Sequence, residues 1–165
     1  MTAPDSARPF VPGDFAVPGE LVTAEFRLEP LGPQHNAADY EAWTSSIEHI
    51  RATPGFVGRT WPDPGMTPEE NLGDLRRHAE DFAGRTGFTY TVLDPGGRTV
   101  GCVYIYPTKD HAAGVAKVES WVRADRAELD VPLYTAVSAW LADAWPFAEV
   151  RYAPRDGSGA AEAGT

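Results

Sequence analysis

The sequence predicts a mixed α/β domain: a mainly antiparallel sheet flanked by helices, in the order β-α-α-β-β-β-α-β. Three observations carry that expectation. Thr67-Pro68-Glu69-Glu70 supplies an N-cap, a proline at the first helical position and a capping-box acid ahead of an apolar stripe. Phe88 to Leu93, Thr99 to Tyr106 and Val115 to Val122 are three consecutive runs rich in β-branched and aromatic residues. Leu133, Val137, Trp140, Leu141 and Ala144 then recur at helical spacing until Pro146 ends the run.

In chain order, residues 1–20 carry Pro4, Pro9, Pro12 and Pro18, which remove backbone donors and predict an extended arm. Phe10, Phe15 and Val17 are the side chains able to pin that arm to the body. Phe26 to Leu31 alternates apolar and polar residues, the period of a half-buried strand. Gly32-Pro33 opens a helix in which Tyr40, Trp43, Ile47 and Ile50 share one face, and the helix is expected to end near Thr53. The capped helix from Thr67 carries Leu72, Leu75, Ala79 and Phe82 as its stripe, and Gly84 to Gly87 stops it. Asp94-Pro95-Gly96-Gly97 joins the next two strands as a hairpin. Val115 to Val122 follows as a third antiparallel strand, and Val150 to Ala153 is a short last one. The folded domain is expected over residues 21–155, with the polar stretch 156–165 a disordered tail.

At 165 residues the chain accommodates one domain of ordinary size. Its formal net charge of -10 repels phosphate backbones and anionic lipid, so neither nucleic acid nor a membrane is an expected partner. The N-terminus shows no signal-peptide pattern, which predicts a cytoplasmic protein. Cys102 is the only cysteine and the four histidines are not in ligand spacing, so no disulfide and no metal are expected.

The element order resembles the Gcn5-related N-acetyltransferase superfamily, and so do particular stretches. FTYTVLDPGGRTVGCVYIYP looks like the family's second and third strands, AKVESWVRADR like its fourth, and LYTAVSAWLADAWPF with AEVRYAP like its third helix and fifth strand. The resemblance covers about residues 26–154. It implies transfer of an acetyl group from acetyl-CoA to a primary amine of a small molecule or peptide. The fourth strand's backbone, at Trp121 and Val122, would pair with the donor's pantetheine arm, and the following helix, with Leu133, would face the pyrophosphate. A homodimer is one assembly left open.

The sequence departs from the family in two places. Where relatives carry a glycine-rich turn, this chain reads Arg123-Ala124-Asp125-Arg126-Ala127-Glu128-Leu129-Asp130-Val131-Pro132. Glu128 and Asp130 then fall where phosphates would approach, Arg123 and Arg126 are the residues able to compensate, and Asp130 is an alternative N-cap. The helix and strands that usually follow the fifth strand are also not expected after Arg155, nor with them the family's tyrosine acid. The rival reading is therefore a non-catalytic member of the fold serving as a binding or assembly module.

Glu119 lies in the strand from which relatives draw the carboxylate that accepts the amine proton, which makes it the candidate catalytic base. The alternative is a strand-face acid paired with Lys117 or an arginine. Trp121, Tyr104 and Tyr106 could line an aromatic acceptor pocket or pack the core. Cys102 reads as a buried small hydrophobe, the histidines as surface residues, and Trp61 to Gly65 as either an acceptor-side lid or a plain connector.

Overall fold

A computed structural model describes residues 9–155; the expectations for residues 1–8 and for the tail at 156–165 lie outside the described residues. One six-stranded sheet runs in the order β1-β2-β3-β4-β5-β6, with β1 Leu21–Val22, β2 Arg27–Pro30, β3 Phe88–Leu93, β4 Thr99–Pro107, β5 Val115–Val122 and β6 Glu149–Tyr152. Every pairing is antiparallel except β5 with β6, which is parallel. The helices are α1 Asn36–Thr44, α2 Ile47–Arg51, α3 Pro68–Ala83 and α4 Asp130–Ala144. None of the described helices is long and apolar enough to cross a membrane.

Two details differ from the sequence expectation. The two-residue β1 adds a strand at the edge, hydrogen-bonded to β2. The helix expected from Gly32 to about Thr53 is two helices, because Ser46 adopts φ -135°, ψ 23° between them. Around the break, Thr44 Oγ1 donates to the Tyr40 carbonyl at 2.7 Å and Ser45 Oγ to that of Ala42 at 2.9 Å, side-chain competition that weakens helix continuation. The break frees Ser46 Oγ to accept from Ala124 N at 2.8 Å, which ties α2 to the loop after β5.

The sheet separates two apolar layers. On one face, α4 packs Leu133, Val137, Trp140 and Leu141 against Tyr90, Val103 and Val118, and the N-terminal arm closes the layer. Val11 is 1% exposed, Phe10 stacks on Phe88 at 5.9 Å, and Tyr90 donates to the Pro18 carbonyl at 2.6 Å. On the other face, Leu31, Trp43, Ile50, Leu75, Cys102 and Trp121 form a second cluster under α1 to α3. Of the α3 stripe, Leu75 is buried, while Leu72, Ala79 and Phe82 are half-buried. The capping box of α3 is formed: Thr67 Oγ1 accepts from Glu70 N at 3.1 Å and Glu70 Oε1 from Thr67 N at 2.8 Å.

The β3-β4 turn uses Asp94 as expected of a turn residue, its carboxylate accepting from Gly96 N and Arg98 N, with Gly97 at φ 87°. At Gly101 a Cβ would collide with the Trp121 carbonyl, so glycine there permits the close β4-β5 approach.

The end of the sheet positions the site. β6 pairs over its full four residues, from Val115↔Glu149 to Val118↔Tyr152, whereas β5 runs on through Glu119 to Val122 with no partner strand on that edge among the described residues. β6 does not splay away from β5 within its own length; the unpaired edge exists because β5 outruns it, and the sheet stays unclosed.

Candidate active site

The open half of β5 has a deep cavity on one side of the sheet and a wedge beside β6 on its edge. The cavity, about 490 Å³, lies between β4, β5 and the helices α1 and α3. Strand alternation dictates what faces it: Tyr104 sits opposite Glu119 and Tyr106 opposite Lys117, and all four side chains line it. Phe56 and Trp61, from the connection between α2 and α3, supply further aromatic wall. Trp61 and its neighbours are held in place by Arg51, which donates to the Thr60 and Pro62 carbonyls.

Glu119 is engaged on both carboxylate oxygens by Arg59, at 2.7 and 2.9 Å, with Lys117 Nζ 3.5 Å away. Its side chain is 14% exposed. Arg59 lies over the Phe56 ring at 5.3 Å, so the guanidinium is oriented by stacking as well as by charge. Each carboxylate oxygen has two acceptor positions; Arg59 takes one on each.

Deeper in the cavity, Asp39 is 4% exposed and accepts at Oδ2 from Asn71 Nδ2 at 3.1 Å, while Asn71 Oδ1 accepts from Trp43 Nε1 at 3.1 Å. Burial pushes the Asp39 carboxyl up to about 6. His78, expected at the surface, is instead packed between α3 and the sheet, its Nδ1 within 3.0 Å of Tyr106 Oη and 2.9 Å of Thr89 Oγ1. Burial, reinforced by Arg77, lowers it to about 4. Tyr104 is pushed well up by burial, and its hydroxyl accepts from Trp121 Nε1 at 2.9 Å. Trp121 itself is fully buried beneath Tyr104, and Cys102 is buried and raised by desolvation, in keeping with a packing role.

The wedge beside β5 is filled by Arg155, 2% exposed. Its Nη2 donates to the Ser120 carbonyl at 2.8 Å, Nη1 to the Ala153 and Pro54 carbonyls at 2.9 and 3.2 Å, and Nε to Asp130 Oδ2 at 2.8 Å. The guanidinium also stacks over Tyr134 and Tyr152. Tyr152 Oη lies 2.6 Å from Ser120 Oγ.

The loop after β5, Ala124–Leu129, is two short 3-10 turns joined by a kink at Arg126 (φ -130°, ψ 37°), the second running directly into α4. Asp130 is the first residue of α4 and not its N-cap: the helix needs no side-chain cap because the preceding turn continues it, and the Asp130 carboxylate points to Arg155. Arg123, 4% exposed, is bound by Glu41 and Asp125, and Arg126 by Asp94 and Glu128. Val122 and Leu133 are fully buried. As arranged, then, Arg123 and Arg126 are held by neighbouring carboxylates, Trp121, Val122 and Leu133 are buried, and Arg155 occupies the unpaired edge of β5.

Sequence reasoning alone does not reach Asp39, Asn71, Arg59, His78 or Arg155. A signal exists for Asp39, which stands four residues before Trp43 on the apolar face of its helix, where a charged residue is unexpected. Arg155 carries none.

No protein-family model and no curated protein sequence matches this chain. Solved structures do. A microcin C7 self immunity acetyltransferase, MccE, in complex with acetyl-CoA and AMP superposes with a TM-score of 0.65 at 14% identity, covering 89% of this chain and 79% of that one. A ribosomal L7/L12 alpha-N-protein acetyltransferase in complex with coenzyme A gives 0.64 at 12% identity, covering 87% and 78%. A ribosomal-protein-S5-alanine acetyltransferase from Vibrio fischeri gives 0.58 at 13%, covering 74% of this chain and 66%, just under two thirds, of the other. The chain has the fold of these N-acetyltransferases.

Proposed function

We propose that the protein is an N-acetyltransferase that uses acetyl-CoA to acetylate a primary amine held in the aromatic cavity. The observation that carries this reading is the meeting of the cavity with the unpaired half of β5 at Glu119. An exposed strand edge is a surface on which an extended arm can be hydrogen-bonded, and the cavity offers the amine an acidic, largely desolvated end. The donor supplies the acetyl carbonyl. Glu119 receives the proton that the amine gives up, on the acceptor positions Arg59 leaves open, and Arg59 holds that carboxylate in place. Tyr152, at the same edge with its Oη 2.6 Å from Ser120 Oγ, is the hydroxyl placed to return a proton to a leaving thiolate. Localisation in the cytoplasm is part of this proposal, and a homodimer is one assembly left open.

A second reading is favoured by Arg155. Because its guanidinium fills the wedge, a protein that never displaces it is a non-catalytic amine-binding module on the same fold. Isothermal titration with acetyl-CoA, paired with detection of released thiol over a panel of primary amines, separates the two. Micromolar acetyl-CoA binding with amine-dependent thiol release supports the transferase; folded protein that binds amines and no acetyl-CoA supports the module.

A further inference from the structure

Charge is segregated along the cavity. Residues two apart on a strand stand about 7 Å apart on the same face, so the Tyr104-Glu119 and Tyr106-Lys117 pairs mark two successive levels. The Tyr104 level is acidic on balance: Asp39 and Glu119 both line it against one cation, Arg59, which is spent on Glu119, and Asp39 Oδ1 carries no hydrogen bond among the described residues. The level from Tyr106 to Thr108 is basic, lined by Lys117, Lys109, Arg77 and His111. Lys109 and Lys117 are the only lysines in a sequence of net charge -10, and both stand at this one cavity. Arg77 is paired with Asp74 at 2.8 Å and Lys117 lies 3.5 Å from Glu119, whereas Lys109 makes no ion pair among the described residues. Between the two levels the walls are aromatic.

We propose that the cavity takes an amine carrying a second, anionic group, a carboxylate or a phosphate, about 7 to 10 Å from the nitrogen, one strand step or slightly more. The ammonium sits at the Asp39-Glu119 level, where a buried carboxylate without a full set of partners and the faces of Tyr104, Phe56 and Trp61 attract it. The anion sits at Lys109 and Lys117, which act as point charges and suit either anion. The overall negative charge by itself favours a simple cationic amine, and the local lysines reverse that preference at the far end. With its carboxyl raised to about 6, Asp39 is ionised for this role above that pH. The inference rests on the amine-acceptor reading for the class of ligand, not for any chemical step.

The test uses four probes: 4-(aminomethyl)benzoate against benzylamine, and O-phosphotyramine against tyramine, titrated calorimetrically into the full chain without acetyl-CoA. At least one anionic probe is expected to bind about tenfold more tightly than its neutral-ended partner, with the preference shrinking as salt rises. Whichever anionic probe shows it names the anion. In a K109A/K117A variant, whose exposed positions leave the fold intact by thermal melt, the preference should vanish. Equal binding within each pair, no binding of either anionic probe, or a preference that survives in the variant overturns the proposal. Selective binding without acetyl transfer defeats the transferase reading alone; acetyl transfer with no preference for the anionic probe in either pair defeats this inference alone.

Discussion

Arg155 donates to the backbone carbonyl of Ser120 at 2.8 Å, and that carbonyl belongs to the half of β5 that β6 leaves unpaired. An arginine side chain thus satisfies a strand edge left open by the short β6. The same guanidinium holds Asp130, whose Oδ1 is buried with no hydrogen-bond partner among the described residues. Edge, wedge and the start of α4 are therefore locked by one residue. Donor access and stability are coupled through it.

Removing Arg155 leaves Asp130 without its described partner, so Arg155→Ala should lose about 3 to 5 kcal/mol in denaturant titration. Neutralising Asp130 as well removes the stranded charge, and Arg155→Ala with Asp130→Asn should recover about 1 to 3 kcal/mol of that loss. In the folded double variant the wedge is vacated, and acetyl-CoA affinity should rise about tenfold or more. Unchanged affinity would show that Arg155 is not the obstacle. The exposed Glu128, paired with Arg126, is expected to matter far less than the sequence reading suggests.

Much of the fold was legible in the sequence because it rests on local signals. The capping box at Thr67, the three β-rich runs and the stripe on α4 each specify an element within a few residues. The split between α1 and α2 was hidden because Tyr40, Trp43, Ile47 and Ile50 keep helical spacing across Ser45 and Ser46. Cavity residues were legible where strand alternation decides facing, as for Glu119, Tyr104 and Tyr106. Arg155 was not, since its role depends on β6 stopping short and on contacts 25 and 35 residues away in sequence.

The burial pattern on α3 distinguishes two leucines that the sequence treats alike. Leu75 is 2% exposed and packs in the cluster with Trp43 and Trp121, so Leu75→Ala should cost about 2 to 5 kcal/mol. Leu72 is only half-buried, and Leu72→Ala should cost clearly less, about 1 kcal/mol. Equal losses for the two, measured by urea titration, would mean the α3 face is rotated.

Asp39 and His78 should make opposing contributions to stability between about pH 4 and 6.5. The folded-state pKa of Asp39 lies above the ordinary value, so its contribution is full below about pH 4 and is lost as the pH rises through about 6. The pKa of His78 lies below its ordinary value, so its contribution is full above about pH 6.5 and is lost as the pH falls through about 4. Each amounts to roughly 3 kcal/mol, and they largely offset in the wild type. The charged and titratable groups acting on the two are His35 and Asp74 for Asp39, and Arg77, Asp74 and Asp81 for His78. Single variants unmask each contribution. In Asp39→Asn, stability should fall more steeply than in the wild type as the pH drops from 6.5 to 4; in His78→Gln it should rise over the same interval relative to the wild type. Denaturant midpoints at three pH values within that window give the comparison. Parallel curves for the three proteins would show that neither group is perturbed by burial.

The transferase reading makes a specific kinetic demand on Glu119 and Arg59. Glu119→Gln keeps the shape of the side chain but removes its capacity to accept a proton, so kcat should fall by about 10² to 10⁴, while loss of one of the two carboxylates at the ammonium level raises KM by a smaller factor. Arg59 touches the carboxylate on both oxygens and acts through it, as a positioning residue. Arg59→Gln should therefore lower kcat by a smaller factor, and Arg59→Lys should restore only part of the loss, because an ammonium cannot make the paired contact of a guanidinium. The decisive measurement is the double variant. If Arg59 works by orienting Glu119, then adding Arg59→Gln to Glu119→Gln costs nothing further in kcat, since residues that act as a unit are not additive. If the two losses multiply, Arg59 has a role of its own in the cavity and the orienting account is wrong. If Glu119→Gln leaves kcat unchanged, Glu119 is the strand-face partner of Arg59 and Lys117, and Asp39, buried in the same cavity with its carboxyl raised to about 6, becomes the residue to replace next.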